Sequence, residues 1–111
     1  MNKYESIPFQ TKDEAIAVLD KAQSTEELCV LLLGLCEIED WEWVQEQYLK
    51  YIHDEDKWVS SSAITGLGHL ARINGNLDKK RVITTLEQLA QNRPELEGKI
   101  SDALSDIDIY L

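Results

Sequence analysis

The chain contains few of the residues that build disulfide-bonded or metal-stabilised small proteins. Its 111 residues include two cysteines, two histidines and two prolines. Cys29 and Cys36 are seven residues apart on one predicted helix, a separation of two turns or about 10 Å that is too long for a disulfide. This spacing also differs from that of a zinc site. We therefore predict free, buried thiols and no metal site.

Long apolar runs and flexible linkers are missing as well. The longest apolar stretch, residues 29–36, is far shorter than the roughly 20 residues that span a bilayer. The first six residues lack the apolar run of a signal peptide. No tract rich in proline, glycine or serine divides the chain. We therefore expect one helical domain over residues 1–111, located in the cytoplasm.

Positive charge is scarce, because 11 lysines and arginines accompany 21 aspartates and glutamates, for a net charge of −10. The excess is concentrated in residues 26–56, where Lys50 is the single base among ten acids. Such a field repels nucleic-acid phosphates and anionic lipids, and it attracts basic protein surfaces. We therefore expect a basic protein partner, and neither direct nucleic-acid binding nor membrane binding.

The chain does contain a repeated helical pattern. Apolar positions in residues 40–73 recur at offsets of 37 or 38 residues. The recurring pairs are Val44 and Val82, Tyr48 and Leu86, Tyr51 and Leu89, Val59 and Leu96, Ala63 and Ile100, Leu67 and Leu104, and Leu70 and Ile107. Helix pairs repeated at this spacing are typical of an α-solenoid. With a looser first unit in residues 11–38, the pattern predicts an all-α fold: a short right-handed solenoid of about three antiparallel helix pairs.

Capping residues mark the ends of the six predicted helices. The predicted N-caps are Ser24, Asp40, Asp56 and Asp78, at the starts of helices two to five. Gly75 is expected to end the fourth helix in the left-handed conformation, and Pro94 suits the first turn of the sixth. Residues 28–35 are apolar nearly all round. This composition predicts a second helix that is covered on several sides.

The fourth helix resembles the second-helix signature of HEAT-like repeats. The residues that carry the resemblance are segment 53–59, Ala63, Leu67, Gly68 and Leu70. The family typically shows Asp-x-Asp, then Val, Ala and Leu-Gly. Asp56 would cap the helix, and Gly66 and Gly68 would let neighbouring helices approach closely. Ser60 stands where the family often has arginine, so the Asp–Arg ladder of longer HEAT solenoids is not expected.

A small, acidic chain of three HEAT-like repeats is also similar to the immunity proteins of bacterial toxin systems, including contact-dependent growth inhibition. Segments 58–73 and 100–107 carry this resemblance. It implies a monomer that forms a one-to-one complex with a toxin domain, commonly a basic nuclease, and masks its active-site cleft. It implies no cofactor. A HEAT-like adaptor or regulatory scaffold with another basic partner is the alternative.

Candidate catalytic residues do not form a recognisable site. Residues 53–56 could suggest a metal cluster, but the ligand spacing of a Mg²⁺ or Ca²⁺ loop is missing. Asp102 and Asp106 share a face of the sixth helix, yet paired catalytic acids need a pocket that a short solenoid does not offer. No nucleophile triad, phosphate loop or dinucleotide motif is present. We therefore expect no enzymatic activity and no catalytic residues.

The expected partner surface lies mainly on the second helices of the pairs. Aspartates there could take the place of nucleic-acid phosphates and pair with basic residues of a nuclease. Trp58 could either cover a junction between repeats or face the partner, and Trp43 is included only if the surface extends to the third helix. The predicted partner-binding residues are Trp43, Asp54, Asp56, Ser62, His69, Asp102, Asp106 and Asp108.

Overall fold

The computed structural model describes Phe9 and residues 11–111. Residues 1–8, where the sequence predicts no signal peptide, and Gln10 lie outside the described part. The described residues form six α-helices and no strand. The helices are α1 (Lys12–Lys21), α2 (Thr25–Gly34), α3 (Trp41–Tyr51), α4 (Lys57–Asn74), α5 (Lys79–Asn92) and α6 (Glu97–Tyr110). Short 3-10 turns occupy Leu35–Glu37 and Pro94–Leu96. The all-α prediction is confirmed.

The helix ends follow the sequence except at Asp78 and at Pro94, which begins the short 3-10 turn before α6 rather than α6 itself. Side-chain caps form as predicted at Ser24, Asp40 and Asp56. Gly75 ends α4 with a φ of 72°, which a residue without a Cβ adopts at little cost. The prediction of a side-chain cap at Asp78 is wrong, because its side chain makes no capping hydrogen bond. Instead, the Asp78 N–H donates to Oε1 of buried Gln45 at 2.6 Å, which ties the start of α5 to α3.

Helix α4 lies at the centre of the molecule and contacts α2, α3 and α6. The remaining helices also contact their chain neighbours, α1 with α2 and α5 with α6. The apolar positions that recur in the sequence are buried, except that Tyr51 and Leu104 are only partly so. Removing these side chains from water is the main force that assembles the helices. They form a compact body of 36 × 27 × 24 Å.

Two glycines allow other helices to pack closely against α4. A Cβ at Gly66 would collide with the ring of Tyr48 in α3, and one at Gly68 would lie 2.9 Å from the Asp106 carboxylate in α6. The buried Tyr48 hydroxyl donates to the Leu32 carbonyl at 2.6 Å. Burial raises the pKa of Tyr48 well above its usual value, because the phenolate would lose its hydration. The close approach predicted at both glycines is confirmed.

Helix α2 is less covered than its composition predicts. Leu31 and Leu32 are buried, but Leu33 is 37% exposed and Cys29 and Val30 are half-buried. Both cysteines are free thiols, as predicted, although Cys29 is not fully buried. Burial raises the pKa of the Cys36 thiol. One side of α2 therefore remains open, and it faces a groove.

Candidate functional site

An open groove of about 650 Å³ lies between α2, α4 and α6. Helix α2 lines it with Thr25, Glu26, Cys29, Val30 and Leu33. Helix α4 lines it with Trp58, Ser61, Ser62 and Thr65, and α6 contributes Lys99. We call this feature the Trp58 groove. Its volume falls within the range of about 300–1,000 Å³ that is usual for ligand pockets.

Trp58 is the most prominent side chain of the groove. It occupies the first turn of α4 and is 67% exposed, whereas its neighbour Val59 is buried in the core. The Cys29 thiol donates to the Trp58 carbonyl at 3.4 Å, which connects the two sides of the groove. The Lys57 ammonium lies 5.9 Å from the centroid of the indole ring. A large exposed aromatic beside an apolar groove is typical of a residue that anchors a protein partner.

Asp56 shapes one end of the groove through hydrogen bonds. Its carboxylate accepts from the Thr25 hydroxyl at 2.6 Å and from the Trp58 N–H at 2.8 Å. These donors, Thr25 first and then Trp58, lower the pKa of Asp56 because they stabilise its ionised form. The Asp54 side chain in turn accepts from the Asp56 N–H at 2.8 Å. The start of α4 is thus held against the start of α2 by an ionised carboxylate.

An arginine from later in the chain reaches the same turn. The Arg93 guanidinium donates to the Asp54 carbonyl at 2.6 Å and to the Ser60 hydroxyl at 2.8 Å. It also pairs with Glu95 at 3.2 Å. Ser60 is fully buried and donates to the Asp54 carbonyl. Ser60 therefore accepts a hydrogen bond from an arginine that lies between α5 and α6.

The remaining predicted residues on α4 and α6 lie outside the groove lining. His69 is half-buried, and the Asp106 carboxylate lies against Gly68, one residue away. Burial and then the charge of Arg72 lower the pKa of His69, while Asp106 acts in the opposite direction. Asp102 and Asp108 are exposed on α6.

The structure brings together only part of the predicted set. Ser62 lines the Trp58 groove, and Asp56 is hydrogen-bonded to two lining residues. Trp43 is half-buried on α3 and borders a different hollow, together with Glu46 and Arg81. Trp43 is therefore separate from the groove.

Several groove residues were not predicted from the sequence. They are Thr25, Glu26, Cys29, Val30, Leu33, Ser61, Thr65 and Lys99. The sequence feature that could have indicated these groove residues is the nearly continuous apolar surface of residues 28–35. The sequence pattern predicts that this surface is buried on several sides, but an apolar helix side can equally line an open groove.

Metal sites and membrane spans can be assessed for Phe9 and residues 11–111. Within that part of the chain, no group of three or more histidine, cysteine or acidic side chains is placed to hold a metal ion. None of the helices described there has the length and apolar character required to cross a bilayer.

Comparison of the chain with known protein families, with curated proteins and with solved structures found no match. The HEAT-like resemblance stays a prediction from the sequence.

Proposed function

We propose that this chain is an immunity protein, which binds the basic nuclease domain of a bacterial toxin and blocks its active-site cleft in the cytoplasm. The observation that carries the proposal is an apolar groove with a 67% exposed tryptophan, Trp58, beside the most acidic segment of the chain. A nuclease cleft is basic because it binds phosphates. Carboxylates can therefore attract that cleft, while the groove supplies an apolar contact. This function needs neither a cofactor nor a catalytic residue.

We also propose that the six helices form three antiparallel pairs in a short right-handed HEAT-like stack. The contacts of α1 with α2, α3 with α4 and α5 with α6 support the pairing. The contacts of α4 with both α2 and α6 support a shared layer of second helices. Ion pairs also link successive first helices, Lys12 with Asp40 and Glu46 with Arg81. In such a stack the second helices present one continuous surface to a partner.

The proposed partner surface combines the Trp58 groove with the predicted residues in the turn before α4, on α4 and on α6. From the sequence prediction it includes Asp54, Asp56, Ser62, His69, Asp102, Asp106 and Asp108. Trp43 would take part only if the partner extended around the molecule to α3. Asp54 and Asp56 also accept hydrogen bonds within the chain, so they would act on a partner mainly through their charge.

Co-production with a candidate toxin tests this function. The candidate is the product of the open reading frame directly upstream of the gene, provided that this frame encodes a toxin domain. We expect this chain to restore growth to cells that make the toxin domain, to inhibit its nuclease activity at equimolar concentration, and to form a one-to-one complex by light scattering. An unrelated basic ribonuclease serves as the control and should stay active.

Two results would contradict the immunity function. The immunity function would be excluded if the toxin domain remained fully active in the presence of excess protein. A tight complex in which the partner keeps its activity would instead identify an adaptor, the alternative function.

A further inference from the structure

We infer that the Trp58 groove receives a short amphipathic segment of the partner, with its apolar side chains in the groove and its lysines or arginines at the acidic end. This inference rests on the proposed binding of a basic protein, and it adds the docking site and the chemistry of the docked segment.

The apolar part of the inference follows from the groove lining. Leu33 and Trp58 are two of the large apolar side chains that are exposed, and both border the same groove. Cys29 and Val30 extend this apolar lining along α2. A volume of about 650 Å³ accommodates several side chains, as on one face of an amphipathic helix. Docking such a face would remove both exposed side chains from water.

The charged part of the inference follows from the residues at one end of the groove. Glu26 lines the groove, and the Asp56 carboxylate is bonded to two other lining residues. The carboxylates within two residues of these contacts are Glu26, Glu27, Asp54, Glu55 and Asp56.

The bases in the same region are fewer. They are Lys57 and Lys99, together with Arg93, whose charge is paired with Glu95. Negative charge therefore exceeds positive charge where the segment would enter. A cationic segment is attracted there, whereas an acidic peptide or a fatty-acid carboxylate is repelled.

A peptide probe tests the inference without the toxin. The probe is a fluorescein-labelled peptide with blocked ends, in which leucines at helical spacing alternate with lysines. We expect the full-length protein to bind it in fluorescence anisotropy. Trp58→Ala and Ser62→Gln, which remove the anchor or fill the groove, should each weaken binding by about tenfold or more.

The controls separate the groove from general attraction. Ile109 is 67% exposed, as Trp58 is, but lies on α6 outside the groove lining, so Ile109→Ala should leave the affinity unchanged. A peptide with glutamates in place of its lysines should not bind. Thermal unfolding of each variant verifies that the fold is intact. We expect an intact fold because Trp58, Ser62 and Ile109 are not buried.

Alkylation of the two thiols locates the bound peptide. Cys29 lines the groove and Cys36 is buried, so the peptide should slow modification of Cys29, with Cys36 as the internal reference. The inference is overturned if Trp58→Ala binds the lysine peptide normally, if the glutamate peptide binds equally well, or if bound peptide does not protect Cys29. Absence of binding up to about millimolar peptide would overturn it too.

The docking site and the proposed function can fail separately. If Trp58→Ala neutralises the toxin domain as well as the unmodified protein does, the docking site is wrong and the immunity function stands. If the lysine peptide binds in the groove but no toxin domain is neutralised, the immunity function is wrong and the groove remains a docking site for a basic segment.

Discussion

Three features of the structure affect the protonation of the His69 imidazole: its burial, Arg72 and Asp106. Burial disfavours the protonated ring and the charge of Arg72 repels it, whereas Asp106 attracts it. Burial prevails, so the pKa of His69 in the folded protein lies below its ordinary value. The unfolded chain therefore takes up this proton more readily than the folded one. The resulting contribution to stability is complete above the ordinary pKa, and it is lost as the pH falls towards the folded value.

We therefore expect His69→Gln to reduce the acid sensitivity of the fold. Between about pH 7 and about pH 5.5, the unmodified protein should lose more free energy of unfolding than the variant, because only in the unmodified protein does unfolding expose an imidazole that takes up a proton disfavoured in the folded state. Urea titrations at several pH values measure this difference. His53→Gln, at an exposed position in the turn before α4, is the matched control. Identical pH slopes for His69→Gln and the unmodified protein would contradict the prediction.

Gly66 and Gly98 should respond oppositely to replacement by alanine. A Cβ at Gly66 meets the buried, hydrogen-bonded ring of Tyr48, whereas at Gly98 nothing lies within 4 Å. Overpacking at Gly66 should cost about 1–3 kcal/mol, more than the helix propensity of alanine returns. Gly98→Ala should stabilise the protein by up to about 1 kcal/mol. Chemical denaturation measures the free energy of unfolding of both variants. A stabilising Gly66→Ala would show that the Tyr48 ring moves freely.

The helices are joined by polar contacts as well as by apolar packing. Thr25 at the start of α2 binds the Asp56 carboxylate before α4, and Gln45 of α3 accepts from the backbone at Asp78 before α5. Each contact lies at a helix start, where backbone groups lack partners within the helix. These contacts therefore fix where the helices begin relative to one another, and Asp56 also caps α4.

Arg93 provides a test of one such link. It donates two hydrogen bonds to the turn before α4 and to the start of that helix, and its side chain is only 20% exposed. Arg93→Met should lower the free energy of unfolding by about 1–3 kcal/mol, because charged hydrogen bonds in a partly buried site are lost.

The control is an arginine of the same kind on the surface. Arg81 is 50% exposed and pairs with Glu46, so Arg81→Met should lower the free energy of unfolding by clearly less than Arg93→Met does, because solvent screens a surface ion pair. Equal losses in the two variants would show that the Arg93 contact adds nothing beyond a surface ion pair.

Across the whole molecule, negative charge is concentrated in residues 26–56, a segment that contributes Glu26 to the groove lining and Asp56 to its hydrogen bonds. Charge acts over distance on the rate of encounter, whereas groove contacts act after the complex has formed. Two double charge reversals separate these effects, because each changes the net charge equally. The first is Glu27→Lys with Glu55→Lys, near the groove. The second is Asp102→Lys with Asp108→Lys, on the exposed side of α6.

We expect both double variants to associate more slowly with the basic toxin domain and to show a weaker dependence on salt. The Glu27 and Glu55 pair should speed dissociation more than the Asp102 and Asp108 pair, because Glu27 is adjacent in sequence to the groove residue Glu26 and Glu55 is adjacent to Asp56, which is bonded to Thr25 of the groove. Asp106 is left unchanged, since its carboxylate packs against Gly68 and reversal there would disturb the contact between α4 and α6. Surface plasmon resonance at two salt concentrations measures both rates. Faster dissociation confined to the Asp102 and Asp108 pair would place the contact on α6.

The helices and most of the core could be predicted from short stretches of sequence. Capping at Ser24, Asp40 and Asp56, and the left-handed end at Gly75, depend on residues within a few positions of each other. The spacing of apolar residues likewise predicted which side is buried in the helices other than α2, because a helix places positions three and four apart on one face. Asp78 departed from the pattern because Gln45, from a different helix, approaches its backbone.

The groove arises from contacts between residues that are far apart in the chain. Thr25 meets Asp56, and Cys29 bonds to the Trp58 carbonyl, while Lys99 approaches from α6. An apolar side of α2 looks the same in the sequence whether another helix covers it or water does. Which of these occurs depends on how α4 and α6 pack, and therefore on the close approach at Gly68. That is why the sequence indicated an acidic, helical, protein-binding chain, while the position of its groove emerged from the packing of distant segments.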